Sequence, residues 1–134
     1  MNATAIEPFE VTLSLDLFLL RGLRRELREW LLRNQVAEDS RDEIILATHE
    51  AAANAIEHAQ SGSEVTIRGV RESSKVVIVV TNTGAWARPR SPDEARGRGL
   101  DLMKQLMTDL EIHAKPQRTV VRMWKDLARS SAGA

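Results

Sequence analysis

The chain contains no cysteine. Neither a disulfide framework nor a thiolate metal site is open to it, and an intracellular setting is the simpler expectation. It also lacks an excess of charge, with 19 basic side chains against 19 acidic ones. General binding to nucleic acid or to a membrane surface draws on a basic excess that is missing here. No apolar run approaches the ~20 residues needed to cross a bilayer. Met1 to Pro8 lacks a basic segment followed by an apolar stretch, so no signal peptide is expected. No internal repeat is visible. What remains is a soluble, cytoplasmic protein with one domain over residues 1–134, since 134 residues with 43% hydrophobic content suit a single core.

Hydrophobic periodicity supplies the elements. Phe9 to Leu13 alternates apolar and polar residues, as a strand covered on one face does. From Asp16 to Leu32 apolar residues recur at helical spacing (Phe18, Leu20, Leu23, Leu27, Trp30, Leu31), which predicts an amphipathic helix. Ser40 with Glu43 three later has the capping-box form, so a second helix is expected from Ser40 to about Ala59. Glu64–Arg71 and Lys75–Asn82 read as strands. The β-branched run Val76–Val80 suits a strand buried on both faces or nearly so. Between Thr83 and Gly99 no period survives, and a loop of that length in a compact domain suits a lid, over about residues 85–99. A third helix is expected over Leu100–Thr108, then strands at Leu110–His113 and Arg118–Trp124. Ala128 to Ala134 reads as a small, polar, disordered tail. This order predicts a two-layer α/β sandwich, a mixed, mainly antiparallel sheet covered on one face by helices.

Three constellations carry chemistry. Glu50, Asn54 and His58 are four residues apart and share one helix face. Ala51, Ala52, Ala53 and Ala55 around them are small and let a ligand come close. Mg²⁺ takes oxygen ligands and keeps several waters, so one amide oxygen together with nucleotide phosphates is a workable set. A solvated polar helix face would look the same. A zinc protease is excluded because Ala53 stands where His-Glu-x-x-His needs its second histidine. Asn82 ends the buried strand, where its amide can face a pocket, and Gly84 permits close approach of a ligand or a turn. In Arg96-Gly97-Arg98-Gly99-Leu100, two glycines precede a helix whose free N–H groups and dipole favour an anion. A flexible hinge would also carry such a pair.

Taken in order, these motifs are Glu50-x-x-x-Asn54 on a helix, Asn82-x-Gly84 after a buried strand, a long lid, Gly97-x-Gly99-Leu100 into a helix, and a terminal strand with Thr119. In this the chain resembles the Bergerat-fold ATPases of the GHKL superfamily, and within them the small RsbW-like anti-sigma-factor kinases, from about Phe9 to Lys125. The resemblance implies a serine/threonine protein kinase that uses ATP and Mg²⁺. It implies that Asn54 binds the metal, that Glu50 orients or deprotonates the attacking hydroxyl, and that His58 supports them. Asn82, Gly84 and Thr119 would form the adenine side. Arg96, Gly97, Arg98, Gly99 and Leu100 would cradle phosphate. The chain departs from the family pattern at Asn82, where an Asp is usual, and at Trp86 and Arg118, where glycines are usual. The implied partners are a sigma factor, which is sequestered, and an anti-sigma-factor antagonist of STAS-domain type, which is phosphorylated, in a stress-linked switch of transcription. A homodimer is implied, with Arg21 on the first helix touching a partner. Two alternatives stand beside this. One is a non-catalytic anti-sigma module with weakened ATP binding, because a neutral hydrogen bond at Asn82 replaces a charge-assisted one. The other is the ATP-binding half of a histidine kinase.

Overall fold

The computed structural model describes residues 7–14, 16–58, 64–83, 98–115 and 118–128. Within them the elements run β1 (Phe9–Leu13), α1 (Leu19–Arg33), α2 (Glu38–His58), β2 (Val65–Arg71), β3 (Lys75–Thr83), α3 (Arg98–Leu106), β4 (Asp109–Lys115) and β5 (Arg118–Asp126). That is the expected order. The strands form one 5-stranded sheet in the order β1-β2-β3-β5-β4. Every pairing is antiparallel, where a mixed sheet was expected. The reason is the path of the chain. β2–β3 and β4–β5 are direct hairpins, and the α1–α2 pair returns the chain to the end of the sheet where β1 finished.

The inward face of the sheet alternates as the pattern predicts. Phe9 and Leu13, Val65 and Ile67, Val76, Ile78 and Val80, and Val121 and Met123 are all buried. They meet Leu23, Leu27 and Leu31 of α1 and Ile44, Ala47 and Ala51 of α2 in one core. On the outer face of β3, Val77 is buried and Val79 half-buried, so this strand is nearly covered on both sides. The sheet is open at both edges. β1 is short, with Glu10 paired to Arg68 across to β2 (3.3 Å). β4 is exposed along most of its length.

Three boundaries fall elsewhere than expected. Phe18 is 90% exposed, outside the buried stripe. The Phe18 N–H donates to the Asp16 carboxylate (2.9 Å) and the Leu19 N–H to the Asp16 carbonyl (3.1 Å), a turn that delays α1 to Leu19. Ser40 does not cap α2. The Arg41 N–H already donates to the Ala37 carbonyl (2.8 Å), so the helix starts at Glu38 with Glu38 and Asp39 in its first turn, where the helix dipole favours acids. Finally, α3 begins at Arg98, so Arg98 and Gly99 belong to its first turn and not to the end of the lid.

Gly69 of β2 sits where the core is tightest. A Cβ there would lie 3.1 Å from Ile78 Cδ1, 3.3 Å from Phe9 Cβ and 3.3 Å from Trp30 Cη2. The missing side chain lets the Trp30 ring rest on the sheet, tilted at 51° to Phe9 with centroids 5.9 Å apart. The Trp30 indole N–H donates to the Glu7 carbonyl (2.8 Å) and so ties the start of β1 to α1. Gly69→Val overfills this contact and should destabilise the fold by about 1–3 kcal/mol. Urea unfolding should show a lower midpoint at an unchanged slope.

Candidate functional site

The path of the chain decides which residues share an end of the molecule. Lys125, near the end of β5, contacts Glu43 in the first half of α2 (3.0 Å) and donates to the Leu106 carbonyl at the end of α3 (2.7 Å). The early part of α2, the close of α3 and the close of β5 therefore meet at one end. At the other, α2 finishes at His58 and the chain re-enters the sheet at Val65, whose partner on β3 is Asn82. Asn54 and Asn82 thus lie at the same end.

Asn82 and Thr119 are direct cross-strand partners on β3 and β5. Both face the core side and both are 1% exposed. Among the described residues, Asn82 Oδ1, Asn82 Nδ2 and Thr119 Oγ1 have no hydrogen-bond partner. Leaving a buried polar group unpaired costs about 1–3 kcal/mol. Beyond the buried Val76, Ile78, Val80, Val121 and Met123 of the same strands, these two side chains leave a polar edge that a polar ligand could complete.

Glu50 and Asn54 are half-buried, one helical turn apart on α2. The residues that α2 buries beside them, Ala51, Ala52 and Ala55, are small. Thr48, which sequence reasoning passed over, belongs to the same buried stripe, and its hydroxyl also lacks a partner. Its signal was a lone hydroxyl at core spacing in an alanine-rich helix. Leu100 is half-buried on α3, which packs on α2. Arg98 and Gly99 open that helix. His58 is the last residue of α2. Gly84, Trp86, Arg96 and Gly97 lie outside the described residues, as does the expected lid up to residue 97. Arg21 is exposed on α1. Two grooves elsewhere, one between β1 and α1 beside Trp30 and one at His113, Lys115 and Arg118, include none of these site residues other than by neighbourhood in the sheet.

Against this geometry stand the comparisons. A family profile described as a histidine kinase-like ATPase domain matches residues 13–125. The chain belongs to the histidine kinase-like ATPase domain family, within the GHKL group. Its fold is similar to that of the RsbU and RsbW domains of Rv1364c from Mycobacterium tuberculosis, with a TM-score of 0.76 and 21% identity over 92% of this chain and 33% of that one. The chain therefore spans 33% of the length of that structure. The catalytic domain of histidine kinase ThkA is similar at a TM-score of 0.55 and 16% identity, over 91% of this chain and 97% of that one. The histidine kinase AdeS of Acinetobacter baumannii is similar at 0.53 and 13%, over 66% and 48%. Membership makes ATP the implied ligand, and the orphaned atoms of Asn82 and Thr119 fit the polar edge of its base. No helix of the described residues is long and apolar enough to cross a membrane.

His49, next to Glu50, adds a pH dependence. Its pKa is held below the usual 6.5, first by burial and then by the Arg24 charge, with Glu50 opposing both. Its Nδ1 is buried and unpartnered among the described residues. Above the unfolded value of 6.5 both states are neutral and the contribution to stability is complete. As pH falls through and below that value, the unfolded chain takes up a proton that the folded imidazole resists, and stability declines until the folded pKa is passed. Urea unfolding from about pH 7.5 to about pH 5 should therefore show a smaller loss of stability in His49→Gln than in the wild type.

Proposed function

We propose that this chain is an anti-sigma factor with ATP-dependent serine/threonine kinase activity, a single domain whose lid, ending before α3 at Arg98, closes the nucleotide site. The observation that carries this reading is the pairing, at one end of the fold, of the half-buried Glu50 and Asn54 on α2 with the unpartnered Asn82 and Thr119 on the sheet. The likeness to an RsbW domain supports a serine/threonine kinase over a histidine kinase within the family. The proposed partners are a sigma factor and a STAS-domain antagonist, met by a homodimer in the cytoplasm. Arg21, exposed on α1, is the proposed partner contact.

In this reading Asn82 and Thr119 hold the base, with Gly84 beside them. Arg96, Gly97, Arg98, Gly99 and Leu100 hold the phosphates through backbone N–H groups at the start of α3 and through charge. Asn54 offers its amide oxygen to Mg²⁺, which when bound neutralises charge on the phosphates, and His58 supports that end of α2. Glu50 accepts a hydrogen bond, and then the proton, from a serine or threonine hydroxyl. The freed oxygen pair attacks the terminal phosphorus, and the electrons of the broken bond leave on the diphosphate. Positioning and charge neutralisation carry most of such a transfer, so one carboxylate suffices as base. The neutral Asn82 favours a second reading, a non-catalytic anti-sigma module with weakened ATP binding.

The test is phosphate transfer from Mg-ATP to an antagonist protein, followed with radiolabelled ATP. Glu50→Gln should lower transfer by about 10²–10⁴-fold while leaving ATP affinity unchanged in calorimetry. Full transfer by this variant would remove Glu50 from the mechanism. ATP binding by the wild type without any transfer would favour the module. In Asn54→Ala, the gain in ATP affinity on adding Mg²⁺ should vanish, and a gain as large as that of the wild type would rule Asn54 out as the metal contact.

A further inference from the structure

Asn82 does more than weaken a contact that an aspartate would make. A carboxylate at this position can only accept hydrogen bonds, whereas a primary amide carries an acceptor and two donors side by side. Opposite it, the Thr119 hydroxyl both donates and accepts, and rotates to suit its partner. Both side chains are 1% exposed. Neither atom of the Asn82 amide has a partner among the described residues, so none of their groups locks it in one orientation. A half-turn about χ2 exchanges its oxygen and its nitrogen without breaking a hydrogen bond to any described residue.

The purine edge that meets such a pair exists in two polarities. A 6-aminopurine offers an amino donor next to a ring-nitrogen acceptor. A 6-oxopurine offers a carbonyl acceptor next to a ring N–H donor. With the Thr119 hydroxyl able to donate to or accept from the ring nitrogen, the amide matches the 6-position of the first with its oxygen on the amino group. Turned over, it matches the second with its nitrogen on the carbonyl. At the 6-position a carboxylate accepts from the amino group of the first and repels the carbonyl of the second. We infer that Asn82, with Thr119, sets the base specificity of this site, and sets it wide: the site takes 6-oxopurine as well as 6-aminopurine nucleoside triphosphates. This rests on the proposal that the Asn82 end of the sheet holds the nucleotide base.

Calorimetry on the full chain with Mg²⁺ tests it, using ATP and inosine triphosphate, which differ at the 6-position edge. In the wild type the two affinities should lie within about tenfold, the worth of roughly one neutral hydrogen bond. In Asn82→Asp, inosine triphosphate should bind at least about a hundredfold more weakly than ATP, since a site whose buried groups mismatch the ligand rejects it strongly. The wild-type ratio decides the matter even if the variant fails to fold. ATP binding with inosine triphosphate weaker by a hundredfold or more in the wild type overturns the inference and leaves the ATP site standing, as does an unchanged ratio in a folded Asn82→Asp. Binding of neither nucleotide overturns the ATP-site reading and this inference with it.

Discussion

Helix α2 lies on the sheet with two different surfaces. In its first half it buries Ile44 and Ile45, which join Leu27, Leu31 and Val36 in the core. From its middle onward the buried residues are Ala47, Thr48, Ala51, Ala52 and Ala55, with Ile56 the one large side chain near the end. The first half supplies cohesion, since each fully buried large aliphatic side chain is worth about 1.5–3 kcal/mol relative to exposure. The second half contributes little bulk and leaves Glu50 and Asn54 half-buried. The rest of the domain depends on this division. Lys125 holds α2 and α3 together at the cohesive end, which frees the other end to be polar.

In the proposed reading, that other end trades stability for ligand binding. Asn82 and Thr119 continue the buried alternation of β3 and β5 but interrupt its apolar character. An apolar pair there would remove the burden of unpaired polar atoms. Retaining them lowers the stability of the domain, and a complementary ligand at the proposed site would offset this, because binding to the folded state alone adds to its stability.

Much of this was legible in the residues, and the rest was not for identifiable reasons. The β-branched run of β3, the alternation of β1 and the stripe of α1 all express one-sided burial, which sequence records directly. The ends of the helices depend on single hydrogen bonds. The Asp16 turn excludes Phe18 from α1, and the Ala37 carbonyl overrides the capping-box form at Ser40. Glu50 and Asn54 share a face by spacing alone. That Asn82 stands opposite Thr119 follows from the register of two strands separated in sequence by the lid, α3 and β4, and no local pattern encodes it. Thr48 was missed because a hydroxyl in an alanine-rich helix reads equally well as surface.

The open edges of the sheet carry a consequence for self-association. An exposed strand edge is a template for a further strand, and a sheet with two such edges could in principle extend from molecule to molecule. Here one edge is only five residues long and bears Glu10. The other turns Asp109, Glu111, His113 and Lys115 to one face, with Glu111 engaged by Arg122 of β5 (3.2 Å). Adding a strand to either edge would crowd or strip water from these charges. Growth into fibrils along the sheet is therefore disfavoured.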